Sequence, residues 1–250
     1  MRYKKAPILE AVLEFRWSSP KPLDELKSAL ALPAYEGFVE PKPRVNISAS
    51  INAAQESNTF GVSQQQTQIG YQTALRDGSE IVFLEQEGFV YIQRAPYDRW
   101  ERFSKRALSL LDPTISALNV TGLSRVGLRF INRIDVPSHN GKGINTDDYI
   151  TIKFDGPRPD RGIIEEFQMR VVKPTDKEGI SYALFVATSP SPLPEHSAII
   201  LDIDVFTQHP VPSSGSGLDS ILATMRNEKN DIFERCITEK ARELFGGQVE

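Results

Sequence analysis

Strict alternation of apolar and polar residues in two long segments constrains the fold of this chain most strongly. In a β-strand, successive side chains point to opposite faces of the sheet, so a period of two marks a strand with one buried and one polar face. In the first segment, residues 7–17, the apolar face carries Leu9, Ala11, Leu13, Phe15 and Trp17. In the second, residues 124–136, one face carries Val126, Leu128, Phe130, Asn132, Ile134 and Val136, and the other carries Arg125, Gly127, Arg129, Ile131, Arg133 and Asp135.

Shorter strand-like runs follow each of these segments. They cover residues 67–75, 80–86 and 89–94 in the first half and 163–172, 181–188 and 198–206 in the second, with a further possible strand at 45–51. The pairs Asp77-Gly78 and Glu87-Gly88 lie between neighbouring runs and suit tight turns that need a positive φ. Short turns join antiparallel neighbours, so the pattern predicts a mostly antiparallel sheet.

Helical periodicity appears in three places. A short helix is predicted at 23–32, and an apolar stripe predicts a second at 97–112, where Pro113 would end or kink it. A third stripe spans 218–245 and stops at Gly246-Gly247. The polar pair Glu228 and Lys229 interrupts this last stripe and predicts a bend there.

The order of elements predicts an α+β fold. We expect a mostly antiparallel sheet of about eight strands, built from two similar β-βββ-α halves at residues 1–119 and 120–250, which form one compact unit with the helices packed on one face. A chain of 250 residues is long enough for such a core. The residues predicted to be buried are Leu13, Phe15, Trp100, Leu128, Phe130, Ile203 and Phe233.

Composition narrows the expected surroundings. The single cysteine, Cys236, allows no internal disulfide, and no apolar run of membrane-spanning length occurs, so we expect a cytoplasmic protein without a membrane partner. A formal net charge of -4 argues against nucleic acid as the main partner.

Several sequence motifs resemble those of one known family. They are Ala6-Pro7-Ile8-Leu9-Glu10-Ala11, Tyr97-x-x-Trp100-x-x-Phe103, the arginine-rich stretch from Arg125 to Ile134, the strand Leu201 to Val205, and Phe233-x-x-x-Ile237-Thr238 with Phe245. Together they span nearly the whole chain and resemble a sporadically distributed bacterial family of uncharacterised proteins of about this length. The resemblance implies a bacterial origin, and it implies no catalytic residue.

Charged residues recur on the polar faces of the predicted strands. They are Arg125, Arg129, Arg133, Glu10, Glu14, Asp202 and Asp204. If these strands share a sheet, all seven lie on one face, and at least one of the carboxylates should form an ion pair with Arg129 or Arg133. The group then forms either cross-strand ion pairs or a polar cavity, in which arginines hold an anion and Asp202 and Asp204 hold a metal. Asn132 lies on the apolar side, where its amide needs a hydrogen bond or contacts a ligand.

Two main hypotheses for function follow. The first is a binding or regulatory module without catalytic activity or cofactor, whose partner is an unknown protein or a small anionic ligand. The alternative is a magnesium-dependent phosphohydrolase that binds a nucleotide or polyphosphate. In pattern alone the charged strands resemble the triphosphate tunnel enzymes, but the Glu-x-Glu-x-Lys motif of their first strand is broken here, because Glu10 and Glu14 are four residues apart. A structural subunit or homodimer, with the last helix as the contact, is a third possibility.

Overall fold

A nine-stranded antiparallel sheet forms the centre of the fold. The computed structural model describes residues 2–54, 59–138, 143–153, 163–207 and 209–249. The strands are β1 (Arg2–Tyr3), β2 (Ile8–Trp17), β3 (Lys42–Ala54), β4 (Thr59–Ala74), β5 (Glu80–Glu85), β6 (Gly88–Arg94), β7 (Leu123–Pro137), β8 (Gln168–Pro174), β9 (Ile180–Pro190), β10 (His196–Thr207) and β11 (Gln248–Val249). The outermost pair in sequence, β1 and β11, forms a separate two-stranded sheet.

The order of strands in the main sheet is β3-β4-β5-β6-β2-β7-β10-β9-β8, and neighbours are antiparallel throughout. The two strands with the long alternating patterns, β2 and β7, pair with each other at the centre. On each side the arrangement is alike: β2 lies beside β6, and β7 lies beside β10. After β2, the next strand is the edge strand β3, and β4, β5 and β6 follow it towards the centre. After β7, the next strand is the other edge strand, β8, and β9 and β10 follow it towards the centre.

The predicted fold class is therefore confirmed, with two corrections to the strand count. The possible strand at 45–51 is part of β3, which spans 13 residues. With β3 included, the main sheet has nine strands. The two-residue strands β1 and β11 were not predicted, because two residues are too few to show a period. They are held by pairing between the two ends of the chain, with Tyr3 opposite Gln248.

In the part of the chain that the structure describes, four α-helices accompany the sheet: α1 (Leu23–Ala29), α2 (Trp100–Ala117), α3 (Ser216–Cys236) and α4 (Glu239–Leu244). Their buried residues belong to the same core cluster as the apolar faces of β2 and β7, so they cover one face of the sheet. In α2, the ring of Phe103 lies 5.6 Å from that of Tyr91 and 6.0 Å from that of Phe130. Within the described ranges, no helix is both long enough and apolar enough to cross a membrane.

Two helix boundaries differ from those expected. The helix α2 continues through Pro113 to Ala117, because the buried residues Leu110, Leu111 and Ile115 on both sides of the proline keep its apolar face against the core. The predicted last helix is two helices, and the break lies at Ile237 and Thr238 rather than at Glu228 and Lys229. At this break the Thr238 side chain accepts a hydrogen bond from the Ala241 amide and caps α4.

The predicted core is buried in six of its seven positions: Leu13, Phe15, Leu128, Phe130, Ile203 and Phe233. The exception is Trp100, which is only partly buried although it packs against the core. It is the first residue of α2 and lines a cavity, which accounts for its partial exposure. The Arg226 guanidinium lies 5.7 Å from the centre of the Trp100 ring.

Candidate functional site

The face of the sheet that the helices leave uncovered carries the predicted charged residues. The register places Arg129 opposite Asp204 on β10 and opposite Val12 on β2, and places Glu14 opposite Gly127. The seven charged residues therefore share one face, as the alternating patterns predicted. The side chains of Arg129 and Asp202 are 47% and 10% exposed, so this face is open to water around its arginines.

Five ion pairs connect six of the charged side chains on this face into one chain across the sheet. The order is Arg44–Glu85–Arg16–Glu14–Arg125–Asp204, from strand β3 to strand β10. Basic and acidic groups alternate along it, so each inner member lies between two opposite charges. The nitrogen–oxygen distances of the Arg44–Glu85, Glu85–Arg16 and Arg125–Asp204 pairs are 3.0–3.1 Å. The predicted residues Glu14, Arg125 and Asp204 are thus members of a charge network that spans the sheet.

The remaining predicted charges form separate pairs. Arg129 donates to both carboxylate oxygens of Asp202, from Nε to Oδ1 at 2.8 Å and from Nη2 to Oδ2 at 2.6 Å. The predicted ion pair between one of the carboxylates and Arg129 is therefore present. Arg133 pairs instead with Asp135, two residues along the same strand, at 3.2 Å. Glu10 pairs with Arg94 of the neighbouring strand β6 at 3.1 Å.

These contacts favour cross-strand ion pairs over an ion-binding site on the open face. Both oxygens of Asp202 are engaged by Arg129, and this hydrogen bonding raises the pKa of Arg129. Burial raises the pKa of Asp204 despite the nearby Arg125 and Arg129. Across the described ranges, no group of three or more histidine, cysteine, aspartate or glutamate residues could hold a metal ion. Ligand or metal binding by these residues stays a prediction.

A cavity of about 480 Å³ lies on the opposite, helix-covered side. Its wall is built from residues 3–8 around β1 and the start of β2, residues 97–101 at the start of α2, Phe130 and Asn132 of β7, and residues 226–234 of α3. The aromatic part of the wall consists of Tyr3, Tyr97, Trp100, Phe130 and Phe233. Four separate parts of the chain thus meet here, which is why no local sequence motif marks the cavity.

Asn132 is the one predicted site residue in this wall. It is 2% exposed, and its Nδ2 donates to the carbonyl oxygens of Phe130 at 3.3 Å and Leu201 at 3.0 Å. These two bonds to strands β7 and β10 fix the orientation of the amide. Among the described residues, no donor bonds to its Oδ1, so this oxygen can still accept a hydrogen bond in a residue that lines the cavity.

Lys229 of α3 is the cavity residue that the sequence did not predict as a site. Its Nζ lies 4.0 Å from the centre of the Phe130 ring, and no carboxylate of the described residues forms an ion pair with it. Burial lowers the pKa of Lys229 to about 7, helped by the neighbouring Arg226 and opposed by Glu234. The side chain keeps partial exposure, and since it lines the cavity, we attribute this exposure to the cavity.

The carboxylates nearest to Lys229 are engaged elsewhere. Glu234 accepts hydrogen bonds from the Tyr3 hydroxyl at 2.9 Å and from Arg242 Nε at 3.2 Å. Glu101 forms an ion pair with Arg226 at 3.2 Å. Lys229 is therefore a largely desolvated cation that contacts the face of an aromatic ring and forms no ion pair within the described residues.

A signal for Lys229 exists in the sequence. The buried residues of α3 are Leu218, Leu222, Met225, Phe233 and Cys236. Lys229 is four residues after Met225 and four before Phe233, so it occupies a core position of the apolar stripe. A lysine at such a position must lie in the interior or at a cavity. The prediction of a bend at Glu228 and Lys229 was wrong, because α3 continues through both residues.

Neither a protein-family model nor a curated protein matches this chain. The resemblance to the sporadically distributed bacterial family therefore stays a prediction.

Proposed function

We propose that this protein is a binding module that holds a small organic anion in the cavity beneath α2 and α3. The observation that carries the proposal is the Lys229 ammonium, which borders the cavity without a carboxylate partner among the described residues. An unpaired cation in a protein interior costs free energy that an anionic ligand would recover.

The size and composition of the cavity support a small ligand. Cavities that bind small molecules typically measure about 300–1,000 Å³ and combine aromatic walls with a few polar groups. The cavity here, about 480 Å³, fits this range. Tyr97, Trp100 and Phe130 offer surface to an apolar body, so we expect the ligand to be a carboxylate on an apolar or aromatic frame.

Three polar side chains of the cavity wall could bind the ligand, two as hydrogen-bond donors and one as an acceptor. Lys229 and Arg226 are cationic donors on α3, and they lie three residues apart and so on the same side of the helix. Asn132 Oδ1 is the acceptor, because its amide nitrogen is already bonded to two carbonyls. A hydroxyl or amine on the ligand would satisfy this oxygen.

The module needs no catalytic group for this role. We keep the bacterial cytoplasm as its proposed location, and the free, buried thiol of Cys236 is compatible with a reducing compartment. The metal-dependent phosphohydrolase is the weaker proposal, because Asp202 and Asp204 direct their oxygens to arginines.

The test is thermal unfolding of the full chain with 3-phenylpropanoate and, as a neutral control, 3-phenylpropanamide. A ligand at 100 times its dissociation constant stabilises the folded state by about 2.7 kcal/mol. We expect the carboxylate to raise the melting temperature and the amide to leave it nearly unchanged. An equal effect of both compounds, or none from either, would contradict the proposal.

Two variants locate the site. Lys229→Met should abolish the shift caused by the carboxylate, because it removes the cation at the cavity. Arg133→Gln removes a cation from the open face, where Arg133 pairs with Asp135, and should leave the shift intact. The reverse result would move the anion site to the open face of the sheet.

A further inference from the structure

We infer that Lys229 is a nucleophilic amine that forms a reversible imine with the carbonyl group of an α-oxo acid bound in the cavity. The inference rests on the proposed function, since it takes the cavity as the anion site. It adds a covalent bond and names the class of ligand.

The surroundings of Lys229 suit an amine that must be uncharged to react. Its nitrogen faces the Phe130 ring at 4.0 Å, and no ion pair within the described part of the chain holds it as an ammonium. A lysine becomes nucleophilic when burial or a neighbouring cation favours the neutral form. Both conditions are met here, because burial and Arg226 act in the same direction on its pKa.

Charged and titratable groups line the cavity from each element that packs around Lys229. They are Arg226 and Glu234 on α3, Tyr3 and Lys4 at β1, and Tyr97, Asp98, Arg99 and Glu101 at the start of α2. Glu101 pairs with Arg226, Asp98 lies 3.4 Å from Arg99, and Glu234 accepts from Tyr3 and Arg242. The described carboxylates of the wall thus have other partners, which leaves the amine free to lose its proton near neutral pH.

The spacing of Arg226 and Lys229 selects the ligand. Residues three apart on a helix are neighbours, with about 5–6 Å between their Cβ atoms. An α-oxo acid carries its carboxylate on the atom next to its carbonyl carbon, so Arg226 can hold the carboxylate while Lys229 reaches the carbonyl. The pair between Arg226 and Glu101 is easily exchanged for a ligand, because the Glu101 side chain is 64% exposed.

Imine formation needs no reagent other than the Lys229 amine and the α-oxo acid. The lone pair of the neutral Lys229 amine attacks the carbonyl carbon, and one amine proton moves to the former carbonyl oxygen. The resulting hydroxyl is a donor, and Asn132 Oδ1 beside the cavity is an acceptor for it. The hydroxyl then leaves with the second amine proton as water, a carbon–nitrogen double bond forms, and the reverse reaction releases the ligand.

The experiment traps this imine in the full chain. The protein is incubated at about pH 7 with phenylpyruvate and cyanoborohydride, and intact mass and peptide mapping follow. An ordinary lysine with a pKa near 10.4 is neutral in only about one molecule in 2,500 at this pH. We expect a single adduct, with the mass of phenylpyruvate less one oxygen atom, at Lys229, formed at least 100-fold faster than at other lysines.

Matched controls separate the covalent step from binding. Lys229→Arg keeps the charge but cannot form an imine, so its adduct should be absent, and Lys229→Met should behave alike if the arginine variant fails to fold. Lys27→Arg replaces an exposed lysine of α1 that does not line the cavity and should leave the adduct unchanged. In parallel, 3-phenylpropanoate measures binding of an anion without a carbonyl group.

The possible outcomes distinguish the two proposals. If both anions shift the melting temperature of the wild type but no adduct forms, the imine is refuted and anion binding stands. If an adduct persists in Lys229→Arg or spreads evenly over many lysines, the imine at Lys229 is also refuted. If neither anion binds and no adduct forms, both proposals fail.

Discussion

Replacing Lys229 with methionine should make the folded protein more stable near neutral pH, in contrast to most substitutions in a protein interior. Lysine and methionine have similar unbranched side chains, so the variant keeps the packing around Met225 and Phe233. It removes a charge that the folded state holds away from water without a carboxylate partner in the described part of the chain. The benefit should depend on pH, because it exists only where the lysine of the unfolded chain is protonated.

The magnitude follows from the lowered pKa. Burial takes the pKa of Lys229 from an ordinary 10.5 to about 7, and each pKa unit corresponds to about 1.4 kcal/mol. The full cost of the charge is therefore at most about 5 kcal/mol, and slightly less at pH 7, where the folded protein has begun to lose the proton. The partial exposure of the side chain reduces this cost, and the variant also loses an attraction to Phe130 worth about 0.5–2 kcal/mol. A net gain of about 1–3 kcal/mol remains.

The sign of the pH dependence is fixed by which state binds the proton. Above pH 7 the folded protein releases the Lys229 proton while the unfolded chain keeps it up to about pH 10. Stability of the wild type therefore rises in this window relative to the variant. The advantage of Lys229→Met should be greatest near pH 6–7 and should vanish by about pH 10.

Urea unfolding of both proteins at several pH values between about 6 and 9.5 measures this difference directly. Subtracting the two curves cancels the titration of other groups, such as Tyr35, whose pKa burial raises to about 12. Lys27→Met serves as a control on the exposed side of α1 and should change the free energy of unfolding by less than about 0.5 kcal/mol. A Lys229→Met variant that loses stability at neutral pH, or a difference independent of pH, would show that the ammonium has a partner.

Three further predictions concern the core, the open face and the thiol. Phe130→Ala should cost about 3–5 kcal/mol in urea melts, because the ring is 1% exposed and its loss leaves a cavity; a loss under about 1 kcal/mol would mean that the site collapses. Arg129→Ala should cost about 1–3 kcal/mol by leaving Asp202 without its two hydrogen bonds, and a neutral result would assign the pair no role in stability. Burial raises the pKa of Cys236 to about 11, so a thiol reagent at pH 8 should modify the unfolded chain much faster than the folded one, and equal rates would contradict its burial.

The stability cost of Lys229 also bears on its role. A core position of α3 flanked by Met225 and Phe233 favours an apolar residue, so a lysine there conflicts with the local pattern. Such conflicts occur most often at functional sites. The open face shows the opposite behaviour, because its charges agree with the strand pattern and are paired with one another.

The sequence by itself determined the strands, their faces and most of the core. Alternation with a period of two is a consequence of backbone geometry alone, so it assigned Leu13 and Phe130 to the buried face and Arg129 to the open face without knowledge of the neighbours. For the same reason it placed the acids and arginines on one side of a shared sheet. The helix stripes likewise located α2 and the start of α3 within a few residues, but they did not show the break between α3 and α4.

Only the tertiary structure decided which groups meet. The register of β7 against β10 places Arg129 opposite Asp204, so the ion pairs of Arg129 with Asp202 and of Arg125 with Asp204 run diagonally between the strands. No local pattern specifies a register between strands so far apart in the chain. The cavity depends on the approach of α3 to β7, which places Lys229 over Phe130, and its cation is unusual only because burial removes water from it. Desolvation and the lack of an ion-pair partner among the described residues are properties of the assembled fold, so the sequence could show a lysine in an apolar stripe but not its lowered pKa.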